Sequence, residues 1–251
     1  LYYEEEYVAR RLAMAAGSRG LEPASIASWL AGHAAGSGLT LSDEQTRAVC
    51  SAADQRCAVL TGGPGCGKTT ATRVLVALLQ ALGQRVTLAA PTGRAAQRMA
   101  EVIGLEAKTI HRLLEFQGTG FKRCEENPLS TDFLIVDESS MLDISLTASL
   151  LKAVAPETAV LFIGDADQLP PVGAGNVLRD LIDSNVLPVF RLATVFRQAS
   201  ESAIIQAAHR INRGEVPQLP SPFRSPEIWK NTDCFFIDSA EAPRRELTFI
   251  P

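Results

Sequence analysis

Short apolar runs alternate with longer stretches of helical spacing through most of this chain. Cys57–Leu60, Phe133–Val136 and Val160–Ile163 are continuous apolar runs, and Val86–Ala90 and Val189–Leu192 are apolar apart from Thr87 and Arg191. Between them, apolar residues recur three and four positions apart, the period of a helix with one buried face. Thr69–Leu82 sets Ala71, Val74, Leu75, Leu78, Leu79 and Leu82 on one side, and Ile144–Ala153, Gly175–Ser184 and Glu201–Arg213 read the same way. Shorter helices open at Ala95 and near Thr109. Strands without polar alternation are buried on both faces, and strands alternating with helices pair in parallel. The pattern therefore predicts an α/β fold, a parallel sheet with helices on both faces.

The two ends break that rhythm. Tyr3, Tyr7, Val8, Arg11 and Leu12 share a helical face, Gly17 and Gly20 interrupt it, and a second helix starts at Pro23 with Ile26, Trp29 and Leu30. Residues 1–38 read as a small helical segment and linker, and residues 39–214 as the main domain. Residues 116–130 are polar, contain Gly118, Gly120 and Pro128, and read as a projecting loop or small hairpin. Residues 215–251 are crowded with prolines at first and read as a tail or partial second domain, with Cys234–Asp238 as one more strand.

Composition narrows the classes. With 251 residues and 46% hydrophobic positions, a full core is available. No run approaches the roughly 18 apolar residues of a membrane span, and the first residues are acidic rather than leader-like, so a soluble cytoplasmic protein with no membrane partner is expected. Five cysteines with no C-x-x-C spacing and three scattered histidines predict neither a disulfide framework nor a zinc centre. The net charge of −4 argues against a uniformly basic nucleic-acid binder and leaves local patches at Arg94/Arg98, Lys108/Arg112 and Lys122/Arg123.

Candidate chemistry begins where the first apolar run ends. Thr61-Gly62-Gly63-Pro64-Gly65-Cys66-Gly67-Lys68-Thr69-Thr70 fits G-x-x-x-x-G-K-[ST] between a strand and a helix. Glycines let backbone N–H groups wrap a triphosphate, and the helix adds its unpaired N–H groups and dipole. Lys68 brings a charge to the outer phosphates, and the Thr69 hydroxyl is the expected ligand of a magnesium ion. The apolar run at 133–136 ends in Asp137-Glu138, which predicts Asp137 as a second metal ligand and Glu138 as the base for an attacking water. Neighbours on a strand point in opposite directions, which divides the two roles.

Three further residues suit a nucleotide. Gln45 completes a capping box with Ser42, and its amide can equally pair with adenine; the residues alone leave both readings open. Gln168, in Gly164-Asp165-Ala166-Asp167-Gln168-Leu169-Pro170-Pro171-Val172, offers a neutral amide that can distinguish ATP from ADP. Arg197 offers a cation for the transition state.

Together these blocks resemble superfamily 1 DNA helicases of the RecD-like branch (superfamily 1B), over about Thr40 to Gly214. The resemblance rests on LTLSDEQ, TGGPGCGKTT, AAPTGRAA, TIHRLL, LIVDESSM, FIGDADQLPPVGAG and ATVFRQ. It implies a RecA-like, P-loop first motor domain that moves five-prime to three-prime on single-stranded DNA by ATP hydrolysis with magnesium, and unwinds duplex junctions in repair or recombination. It implies that Gln45 contacts adenine, that Gln168 and Arg197 face the γ-phosphate, and that Pro91, Thr92, Gly93, Arg94, Thr109 and His111 grip the DNA strand. The loop at 116–130 falls where this branch carries a strand-splitting hairpin, with Lys122 and Arg123 on it and Phe121 available to stack on a base. No later helicase blocks are recognisable, so these residues alone are expected to bind nucleotide but to hydrolyse it poorly. An RNA helicase of the same superfamily and a nucleotide-gated DNA-binding subunit of a larger repair complex are the competing readings.

Overall fold

The computed structural model describes residues 1–196, 202–221, 230 and 232–237. Its centre is a six-stranded sheet: β1 (Cys57–Gly62), β2 (Val86–Ala90), β3 (Ala107–Thr109), β4 (Phe133–Val136), β5 (Ala159–Gly164) and β6 (Val189–Leu192). The order is β3-β2-β4-β5-β1-β6, and every pairing is parallel. The strand at Ala107–Thr109 is the addition to the sequence reading. Three residues are too few to display a period, and Lys108 within them reads as loop.

The alternation of side chains assigns the two faces. Cys57, Val59, Leu134, Val136, Val160 and Phe162 belong to a core cluster with α1 (Tyr2–Met14), α7 (Ile144–Lys152) and α8 (Val177–Ser184). The intervening Ala58, Leu60, Ile135, Leu161 and Ile163 are equally buried and point to the other side. On that side, α4 (Lys68–Ala81) packs against α3 (Asp43–Asp54) and α5 (Gly93–Ile103). Helices on both faces explain why the central strands β4 and β5 carry no polar side chains.

The chain divides into two compact units, Leu1–Gly63 with Gly67–Thr194, and Pro64–Cys66 with Val195–Pro251. In the first unit, α1 and α2 (Pro23–Ser37) are clustered with the sheet. Glu4 accepts from the Ser145 hydroxyl at 2.9 Å, and Arg11 donates to the Val154 carbonyl at 3.0 Å, which fastens α1 to α7. The segment between α1 and α2 is stitched to the end of α3: Asp54 accepts from the Ser18 hydroxyl at 2.7 Å and from Leu21 N–H at 2.7 Å.

In the second unit, α9 (Ala203–Asn212) starts at Ser202, and Asp233 accepts from the Ser202 hydroxyl, Ala203 N–H and Ile204 N–H. The strand expected at Cys234–Asp238 does not form within the described part, 234–237. Among the described residues, Phe236 N–H donates to the Pro220 carbonyl at 3.0 Å, and a single bond does not define a strand.

One strand contact carries a stability prediction. A Cβ on Gly62 would come within 2.5 Å of the Leu192 carbonyl oxygen, backbone that cannot rotate away. Gly62→Ala is therefore expected to destabilise the fold by about 1–3 kcal/mol through forced separation of β1 and β6. Urea unfolding with an unchanged midpoint would contradict this.

Candidate nucleotide site

Parallel pairing brings the carboxyl ends of all six strands to one edge, where ligands of such sheets bind. The register sets their levels, with Thr61 opposite Gly164 and Val136 opposite Phe162. The residues after β1, β4 and β5 therefore emerge side by side. These are the phosphate loop, Asp137-Glu138 and Asp165–Gln168.

The loop is built as its glycines require. Gly65 and Gly67 take φ of 77° and 76°, a left-handed conformation costly for other residues. Gly67 is the N-cap of α4, so Lys68, Thr69 and Thr70 form its half-buried first turn, where N–H groups lack helical partners. The Lys68 ammonium donates to the carbonyls of Gly62 and Gly63, the latter at 3.2 Å, and is thereby folded over the loop. Cys66 is buried.

Gln45 makes both halves of its predicted capping box and one bond more. Its Oε1 accepts from Ser42 N–H at 3.0 Å, its own N–H donates to Ser42 Oγ at 3.2 Å, and its Nε2 donates to the Gly67 carbonyl at 3.0 Å. A single buried amide thus ties the start of α3 to the end of the phosphate loop. One amide hydrogen and one oxygen lone pair are left, the pair of groups that adenine recognition would use. Glu44, beside it, accepts from Ala193 N–H and Thr194 N–H and secures the exit of β6.

Asp137 follows the last residue of β4, and Glu138 has φ 52° and ψ 41°. The two acids therefore do not alternate along a strand, as the sequence reading held. A left-handed turn separates them instead, with Asp137 Oδ1 accepting from Glu138 N–H at 2.8 Å. Burial pushes both carboxyl groups above the ordinary carboxylate range. For Glu138 the adjacent Asp137 charge adds to the effect, while Lys68 and Arg98 oppose it for both. Two half-buried acids without an ion pair among the described residues are an electrostatic demand for a cation.

The turn continues as a 3-10 segment, Ser139–Met141. Ser139 donates to the Val136 carbonyl at 2.9 Å, and Ser140 donates to Gln168 Oε1 at 3.2 Å. The sequence reading missed Ser140, and it named Arg98 only as part of a basic patch with Arg94. A serine in a polar turn carries no periodic signal, and Arg98, one helical turn after Arg94, does not show in the sequence that it faces the acid pair. Arg197 lies outside the described residues.

A second group gathers at the neighbouring strand ends. Ala90 of β2 pairs with Thr109 of β3, so Pro91–Arg94 and Thr109–His111 leave the sheet together. Thr92 accepts from Ala95 N–H and Thr109 from Arg112 N–H, each at 3.2 Å, so the two hydroxyls cap α5 and the short α6 (Ile110–Leu113) and keep a proton to donate. Arg94, Arg98 and Arg112 are exposed, and none forms an ion pair among the described residues. The basic pair expected on the hairpin differs. Glu115 bonds Lys122 at 2.8 Å and Arg123 at 2.6 Å, so both charges are engaged in closing the turn. The turn also gathers an aromatic cluster: His111, Phe116 and Phe121 lie 5.2–5.8 Å apart by ring centres, with Phe116 half-exposed and Phe121 packed against the core.

Residues 40–222, well over half of the chain, match the family described as an AAA domain. Over 177 residues the chain is 48% identical to an ATP-dependent RecD2 DNA helicase of Deinococcus radiodurans, covering 70% of this chain and 24% of that protein. Over 235 residues it is 42% identical to the RecBCD enzyme subunit RecD of Mycobacterium tuberculosis, covering 83% of this chain and 40% of the relative. The chain is a RecD-like member of the AAA-domain family. This RecD-like domain spans only a quarter to two-fifths of the length of those relatives. Its fold is also that of the Pif1 helicase from Candida albicans, with a TM-score of 0.54 at 24% identity over 72% of this chain and 45% of the other. No helix among its described residues is long and apolar enough to cross a membrane.

Proposed function

We propose that this domain is the ATP-hydrolysing motor of a DNA helicase acting in repair or recombination, working five-prime to three-prime on single strands in the cytoplasm. The observation that carries the reading is the shared sheet edge. The phosphate loop and acid pair stand at the tips of β1 and β4, and the Thr92/Arg94 and Thr109/His111 blocks stand at the adjoining tips of β2 and β3. Nucleotide chemistry and strand contact are then neighbours on one rigid element. The RecD2 and RecD relatives, named for a DNA helicase and for a subunit of a larger enzyme, support the choice of DNA and the possibility of assembly with other chains.

The donor set suits a magnesium ion shared with substrate. Thr69 and Asp137 offer hard oxygen atoms, and among the described residues there is no group of three or more acidic, histidine or cysteine side chains that would cage a metal alone. When bound, the ion would neutralise the phosphate oxygens. The chain supplies the rest: Gly63–Thr70 wraps the phosphates, Gln45 reads adenine, and Lys68 screens the outer oxygens. Glu138 takes the proton of the attacking water, Gln168 donates to the γ-phosphate and Arg197 adds a cation to it. Phosphates of the DNA strand meet Thr92, Gly93, Arg94 and Thr109 beside Pro91, with His111 at a base.

The test is ATP hydrolysis titrated with single-stranded DNA and, separately, single-stranded RNA. Stimulation by DNA that weakens steeply as salt rises is expected, because phosphate contacts release counterions. Equal stimulation by RNA would shift the substrate class, and an ATPase indifferent to both would end the motor reading.

A further inference from the structure

We infer that Ser140 is the positioning residue for Gln168, holding its amide in the orientation that presents the NH2 end to the triphosphate. The inference deepens the proposed function and rests on the reading of Gln168 as the γ-phosphate sensor. Ser140 is buried, and its hydroxyl donates to Gln168 Oε1. With the oxygen engaged, the amide NH2 is the end left to point outward. Phosphate oxygens accept hydrogen bonds and do not donate them, so only this orientation recognises a γ-phosphate.

The surrounding backbone is built to make that bond. Gly164 ends β5 against the turn after β4, so that a Cβ there would lie 3.1 Å from Ser140 N, 3.3 Å from Ser139 N and 2.7 Å from Leu178 Cδ2. The close approach needs a glycine, and it brings the two loops into register. Asp165, itself buried, then fixes the next turn: its side chain accepts from Asp167 N–H at 3.0 Å and its carbonyl from Gln168 N–H at 3.2 Å. Beyond Gln168 the support ceases, since Leu169 and Val172 are exposed at 87% and 108%. An exposed glutamine samples many rotamers, and the contact with Ser140 is what restrains this one. Ser140 follows Glu138 by two residues, so it also links the position of the water-activating acid to that of the sensor.

The experiment measures affinities of the 251-residue chain for a non-hydrolysable ATP analogue and for ADP, as wild type, Ser140→Ala, Ser140→Thr, Gln168→Ala and the double alanine variant. Ser140→Ala is expected to reduce the preference for the ATP analogue over ADP by about three- to tenfold, the worth of one hydrogen bond. ADP affinity should hold, Ser140→Thr should restore the preference, and the double variant should lose no more than Gln168→Ala alone. Unchanged preference in Ser140→Ala, equal weakening of both nucleotides, or additive losses in the double variant would each overturn the inference. A wild-type chain that binds neither nucleotide would instead overturn the phosphate-site reading beneath it.

Discussion

Replacing Glu138 with glutamine is expected to leave ATP bound and to slow its single-turnover hydrolysis by about two to four orders of magnitude, the usual contribution of a positioned base. The carboxyl sits in a left-handed turn immediately past β4, half-buried, at the edge that also carries the phosphate loop. Burial, reinforced by the Asp137 charge, raises its proton affinity. A carboxylate so placed is a stronger base than one in water. Glutamine preserves size and polarity but cannot accept the proton. The rate should also fall on acidification at a higher pH than an ordinary carboxylate would dictate, because the protonated acid is inactive. Single-turnover measurement separates the chemical step from nucleotide binding and product release. Wild-type rates in the glutamine variant would remove Glu138 from the mechanism. Loss of ATP binding would make it a ligand-holding or structural residue instead.

Much of this site could be read before any coordinates, for physical reasons that also mark the limits. Buried parallel strands are mostly apolar, so β1, β2, β4, β5 and β6 announce themselves despite Thr87 and Arg191, and the residues that follow each must lie at the ligand edge. That logic located Lys68, Asp137 and Gln168. It failed for β3, whose three residues hold Lys108 at the sheet margin. It also failed wherever a side chain's partner was set by a turn. Lys122 and Arg123 read as a free basic patch because Glu115, seven and eight residues earlier, becomes their partner only once Gly118 takes φ 81° and folds the chain back. Asp137 and Glu138 read as a strand pair, because nothing in two adjacent acids reveals a left-handed second residue. Gln45 shows a different limit. The capping box and the nucleotide contact looked like rivals, yet an amide has four hydrogen-bonding positions, and the fold uses two for the cap and the loop. Ser140 was invisible because its importance lies in how closely Gly164 lets another loop approach.

Asp137→Asn is expected to move stability and ligand binding in opposite directions, which no purely structural aspartate would do. Burial raises the folded-state carboxyl above its value in the unfolded chain. Between those two values the folded form holds more protons, so stability falls as pH rises through that window and stays lower above it. Asparagine keeps the oxygen that accepts Glu138 N–H but never ionises. The variant should therefore match the wild type in acid and surpass it at neutral pH, with a melting temperature higher by about 2–4 °C, the response of a chain of this size to about 1 kcal/mol. The charge that destabilises the free domain is the one a magnesium-bound triphosphate would neutralise, and its removal should weaken that ligand about ten- to a hundredfold. Melting curves across pH, with and without magnesium and a non-hydrolysable ATP analogue, measure both effects. A variant less stable than the wild type at neutral pH would show that the carboxylate is satisfied within the protein. Undiminished binding of the magnesium complex would show that Asp137 does not face it.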